Sequence, residues 1–156
     1  VLAQLGQFDS GSLWKVYLPV IVLSFALMIP MVIYTEVRKA HRRVLQWLVL
    51  ALAAIMALMP WASFNLWAMV VALFIFFVIF NTLEALQPSM VSRVAPAEYK
   101  GLAMGFYNTT QSLGVFGGGL TGGVIAATVG VHWALWIGAA LALLWWLTTR
   151  QFKTVL

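Results

Sequence analysis

Between Val44 and Leu83 the chain runs 40 residues without an aspartate, glutamate, lysine, arginine or histidine. Backbone that deep in hydrocarbon must satisfy its own hydrogen bonds, which only helices and closed barrels do. Val16–Thr35, Gly101–Val131 and Trp133–Thr149 lack these residues as well, over 20, 31 and 17 positions. Charged residues make up 8% of the 156 and hydrophobic ones 63%, with a mean hydropathy of +0.98. A soluble domain carries about a quarter charged residues, so a water-soluble domain and a disordered chain are both excluded. Transmembrane β-strands would alternate in polarity over about ten residues. These runs are continuously apolar, so the spans are helices.

A bilayer core about 30 Å thick takes about 20 helical residues, so the 40-residue run holds two spans. Pro60-Trp61-Ala62-Ser63-Phe64-Asn65 separates them, with a proline stop and Ser/Asn caps. The reading is an all-α integral membrane protein of five transmembrane helices, at about 13–35, 44–59, 66–90, 102–127 and 132–149. Residues 1–12 read as the remnant of a preceding helix and an outer loop, and 150–156 as a cytoplasmic tail. A start at Val1 and an odd number of spans lead to the expectation of a piece of a longer protein.

Nine Lys/Arg stand against four Asp/Glu. The cations cluster at the ends of apolar runs, which points to membrane topology and a lipid partner and away from nucleic acid. If the helices alternate, Arg38, Lys39, Arg42, Arg43, Arg93, Lys100, Arg150 and Lys153 lie on one side and Lys15 alone on the other. The positive-inside rule then sets the N-terminus outside and the C-terminus in the cytoplasm. Trp14, Trp61, Trp67, Trp133 and Trp136 fall near the outer ends and Trp47, Trp145 and Trp146 near the inner ends, an aromatic belt. The absence of cysteine excludes disulfides and thiolate metal sites. His41 and His132 form no metal constellation, and no catalytic or phosphate-loop motif occurs. No cofactor and no enzymatic activity are expected.

The second and fifth spans are nearly pure Leu, Ala, Val and Trp and read as lipid-facing. The third and fourth carry the polar groups. Asn81, Glu84 and Gln87 recur at helical spacing, with Pro88 beside them. Glu84, about 27 Å along the third span at 1.5 Å per residue, is the only acid inside an apolar run. It reads either as a proton-titrating or gating carboxylate or as a group bonded to Asn81, Arg93 or a helix N-terminus. On the fourth span, Asn108, Gln111, Gly114, Val115, Gly118 and Gly122 fall in one sector of about 120°. Ser112 closes the polar run, which either lines a cavity or bonds to another helix. Gly114, Gly118 and Gly122 are four apart, a doubled small-xxx-small repeat that predicts close packing on a neighbouring helix. The loop Glu36-Val37-Arg38-Lys39-Ala40-His41-Arg42-Arg43 reads as a topology signal or as a cytoplasmic latch made by Glu36, Arg38, Arg42 and Arg43.

Gly114-x-x-x-Gly118-Gly119-x-x-Gly122-Gly123 is similar to the antiporter signature of the major facilitator superfamily, with Gly119 where proline is usual. The basic loop resembles that superfamily's Gly-x-x-x-Asp-Arg-x-Gly-Arg-Arg loop: Glu36 takes the acidic position, Arg42 and Arg43 the basic end, and Val32 and Lys39 replace the glycines. Trp14–Leu18, Phe80-Asn81, Glu84-Ala85-Leu86, Pro88-Ser89, Pro96-Ala97, Tyr99-Lys100-Gly101 and Ala103-Met104-Gly105 resemble the second half of the YajR-type, multidrug-efflux-like group. The resemblance implies helices eight to twelve of a twelve-helix carrier, a partial bundle whose partner is the N-terminal half. It implies a small-molecule substrate, protons as coupling ion, and a multi-pass place in the plasma membrane. Uniport or solute uptake on the same fold, and a membrane scaffold without transport, stay open at this stage.

Overall fold

The computed structural model describes residues 14–151. The expected remnant at 1–12 and most of the expected tail lie outside the described residues. Five α-helices follow one another: α1 Trp14–Arg38, α2 His41–Ala62, α3 Leu66–Val94, α4 Lys100–Thr128 and α5 Val131–Gln151. A single 3-10 turn, Ala97–Tyr99, joins α3 to α4, and no strand occurs among the described residues. The all-helical fold is the one expected. Helices α1, α2, α3 and α5 are long and apolar enough to cross a membrane. Helix α4 is long enough at 29 residues, but its eight glycines and its polar run dilute its hydropathy.

The breaks have identifiable causes. Between α2 and α3 the stop is not Pro60, which is buried inside the last turns of α2. The helix ends two residues later, and Asn65 restarts the chain by accepting from the N–H groups of Trp67 at 2.9 Å and Ala68 at 3.3 Å. Between α1 and α2 the N–H of Ala40 reaches the carbonyl of Thr35 at 3.2 Å and that of Lys39 reaches Glu36 at 3.3 Å. This is a Schellman closure, and it puts Lys39 at φ +51° in a position that favours glycine. Between α4 and α5 a glycine does take that place: Gly130, at φ +114°, donates to Ile125.

Helix α2 lies between α3 and α5, and α1 packs on α3. The core forms along the α2–α3 contact, where Leu48, Val49, Leu52, Ile55 and Met59 meet Ala72, Ile79, Leu83 and Leu86. The lipid-facing reading of the second span is therefore wrong. In a bilayer, hydrocarbon tails and a protein core are equally apolar, so composition could not tell one from the other. At the end away from the basic loops Trp136 packs against Trp61 and Trp133, at centroid distances of 6.4 and 5.3 Å. Helix α4 contributes no buried residue and leans on α3 and α5.

Candidate functional site

Polar side chains of α3 point two ways. Asn81 faces inward, 8% exposed, and its Nδ2 donates to Oγ of the fully buried Ser24 on α1 at 2.9 Å. Ser24 in turn donates to the carbonyl of Ile21 at 2.7 Å, so the pair closes a small internal network. One turn on, Glu84 faces the exposed side, where its Oε1 accepts from Nε2 of Gln111 on α4 at 3.3 Å. A turn further, Oε1 of Gln87 accepts from the hydroxyl of Tyr107 at 3.4 Å. Glu84 and Gln87 are three apart on one helix, and Tyr107 and Gln111 four apart on the other, so two rungs of one polar seam join α3 to α4.

Of the expected pathway residues, Glu84, Gln87 and Gln111 thus share this seam. Asn81 leaves it for α1, so the proposed Asn81–Glu84 partnership does not occur. Asn108 and Ser112 lie on the open surface of α4, where Ser112 bonds back to the carbonyl of Asn108 at 2.9 Å. Sequence reading missed Tyr107 and Ser24. The i, i+4 relation of Tyr107 to Gln111 was the available signal for the first. Ser24 left none, because its partner is 57 residues away.

The glycine stripe of α4 is open. At Gly114, Gly118, Gly119, Gly122 and Gly123 an added Cβ would meet nothing within 4 Å. Among the described residues no neighbour packs against the stripe. The close approach occurs at Gly138 on α5 instead, where a Cβ would lie 2.3 Å from the terminal methyl of Met56 on α2. A lone glycine in an alanine-leucine run gave no repeat to notice.

At the basic end, Glu36 at the end of α1 is the hub. It pairs with the guanidinium of Arg93 on α3, accepts from Oγ of Ser89 at 3.1 Å, and lies 3.2 Å from Nε2 of the buried His41 on α2. Three helices are joined by one carboxylate. The arginines expected to make this connection do other things. Arg38 lies 5.9 Å from the ring centre of Tyr34, and Arg42 donates to the carbonyl of Arg150 at 3.4 Å. Gln46 adds a bond to the carbonyl of Thr149 at 3.1 Å, tying α2 to the end of α5. Arg43 is exposed. Arg38, Lys39, Arg42, Arg43 and Arg93 line an open cavity of about 780 Å³ there.

The described residues thus form a helical bundle with one finished core, one open polar and glycine-lined face, and a carboxylate hub at its basic end. The chain belongs to the major facilitator superfamily, whose family-wide profile, described as Major Facilitator Superfamily, matches residues 10–153. Membership places it in a family of transporters rather than enzymes, as a multi-pass protein of the plasma membrane. The chain is 40% identical over 147 residues to the inner membrane transport protein YajR of Escherichia coli (strain K12), covering 94% of this chain and 32% of that one. It is 30% identical over 115 residues to an uncharacterized transporter of Buchnera aphidicola subsp. Acyrthosiphon pisum, covering 74% and 30%. The chain therefore spans about a third of the length of these curated relatives. The resemblance read from the residues was to the right family and the right group within it.

Proposed function

We propose that the chain is the C-terminal part, helices eight to twelve, of an alternating-access carrier that exports small molecules in exchange for protons. The observation that carries this reading is the seam between Glu84 and Gln111, which leaves a carboxylate on the side of the bundle that α1, α2 and α5 do not cover. Carriers of this kind form their site between two bundles that rock about it, and α3 and α4 here offer one wall of such a site. Asn108 and Ser112 extend the wall along α4, and Gly114, Gly118, Gly119, Gly122 and Gly123 let a helix of the N-terminal half approach closely.

Glu84 is suited to proton coupling because Gln111 serves both of its states. The amide nitrogen donates to the ionised carboxylate, and the amide oxygen can accept from the protonated acid after a flip. Protonation would then re-pair the α3–α4 seam without leaving an orphaned polar group. At the basic end, taken as cytoplasmic, the bridges from Glu36 to Arg93, Ser89 and His41 act as a latch that holds α1, α2 and α3 in one arrangement. Arg38, Arg42 and Arg43 surround that latch.

The test is Glu84→Gln in the full-length protein. Glutamine keeps the size and the bond to Gln111 but does not ionise. Gradient-driven export should be lost while substrate binding and substrate–substrate exchange persist. Undiminished proton-driven export by this variant would refute the coupling role.

A further inference from the structure

The cavity at the basic end gathers more positive charge than the latch engages. Its volume of about 780 Å³ lies in the range of small-ligand sites, about 300–1,000 Å³. Five cations line it, Arg38, Lys39, Arg42, Arg43 and Arg93, with Gln46 among them and, among the described residues, no carboxylate. The nearest acid, Glu36, is already engaged by Arg93, His41 and Ser89. The first turn of α2 forms part of the wall, and it carries His41, Arg42 and Arg43 with no acidic residue and no side-chain cap. Cations at a helix N-terminus oppose the helix dipole, and the first N–H groups of a helix lack partners inside it. An arrangement that concentrates positive charge against this dipole is relieved by an anion of high charge density with several acceptor oxygens.

We infer that this cavity binds a phosphate group, that of an anionic phospholipid headgroup or of a free phosphate. Guanidinium forks match phosphate oxygens in pairs, and three of the four arginines here stand on two consecutive helices. The cavity opens at the helix ends, at the depth where a bilayer presents its headgroups, and basic pockets between helices at that depth suit anionic lipid. Arg150, whose carbonyl accepts from Arg42, brings the end of α5 to the same region. A lipid held there would bridge the α1–α2 turn, the end of α3 and, through Arg42, α5.

The test uses the full-length protein in detergent, titrated with phosphatidylglycerol and separately with inorganic phosphate, with bound molecules counted by native mass spectrometry. The parent should retain one phosphatidylglycerol in preference to phosphatidylcholine. A basic residue at an anionic surface is worth about fivefold in affinity, so Arg38→Gln with Arg43→Gln should weaken binding about 25-fold. Lys100→Gln, basic but outside the cavity, should bind like the parent. If the double variant does not fold, Arg43→Gln alone, at an exposed position, should show about the fivefold loss. Displacement of the lipid by millimolar phosphate supports the site and names a soluble phosphate as occupant, whereas resistance to phosphate supports it and names the headgroup. The inference is overturned if the parent holds neither probe, or if Lys100→Gln loses as much as the double variant.

Discussion

Replacing Lys39 by glycine is expected to stabilise the bundle. Lys39 occupies the left-handed position of the α1–α2 turn, at φ +51°. There a Cβ is pressed toward the following carbonyl, at a cost of about 1–2 kcal/mol. Glycine removes that cost and returns about 0.4–1 kcal/mol through the greater freedom of the unfolded chain. The two bonds that close the turn, Ala40 to Thr35 and Lys39 to Glu36, involve backbone alone and survive the change. The net gain is about 0.5–1 kcal/mol. Lys39 is also one of the clustered cations, so charge relief could imitate the effect. Lys39→Ala controls for this, since it removes the same charge and keeps the Cβ, and the difference between the two variants reports the backbone. Both are read by unfolding in mixed micelles with increasing dodecyl sulfate, followed by tryptophan fluorescence. An alanine variant as stable as the glycine variant, or a glycine variant less stable than the parent, refutes the argument.

Ser24→Ala should destabilise the packing of α1 on α3 by about 0.6 kcal/mol, the average for hydrogen bonds between membrane helices, and by no more than about 1.7, because it leaves the amide of Asn81 without its partner. A double-mutant cycle with Asn81→Leu measures the coupling, and a value near zero removes the pair from the account. Gly138→Leu should lower stability by about 1–3 kcal/mol through overpacking against Met56, with Gly138→Ala milder because a methyl can swing aside. Gly118→Leu should leave the unfolding of the 156-residue chain unchanged within about 0.5 kcal/mol. It should cut transport by the full-length protein, and a large shift for the chain alone would mean that the stripe packs internally. For topology, a cysteine at Ser63 should react with an impermeant thiol reagent from outside and one at Ala97 should not. The reverse pattern would invert the orientation.

The class of fold was legible because charge-free length leaves few choices: a run of 40 residues such as Val44–Leu83 can only be divided into spans. The cap at Asn65 was legible too, since a side chain that bonds two and three residues ahead writes its geometry locally. What the residues could not disclose was which apolar face meets protein. Helix α2, with its core residues Val49 and Leu52, carries the same hydropathy as a lipid-facing helix, and only the packing of α3 and α5 around it distinguishes the two. The glycine repeat of α4 pointed to close packing, but not to where the neighbour comes from. The Glu36 hub was half visible. Its acid stood out, while Arg93 and Ser89 are separated from it by more than 50 residues and had no local mark.

The scant burial of α4 bears on how the protein is assembled during synthesis. An emerging helix rich in glycine and carrying Asn108, Thr109, Thr110, Gln111 and Ser112 partitions into lipid poorly by itself. It comes out of the ribosome directly after α3, and Tyr107 and Gln111 meet Gln87 and Glu84 on that neighbour. The two rungs offer α4 a foothold in the bilayer before α5 arrives, which follows after only two residues, Val129 and Gly130. The seam therefore has a task early in the life of the molecule, at the insertion machinery. Glu84→Leu would then show a defect in membrane integration of α4 during translation, at a stage when no substrate or proton gradient is involved.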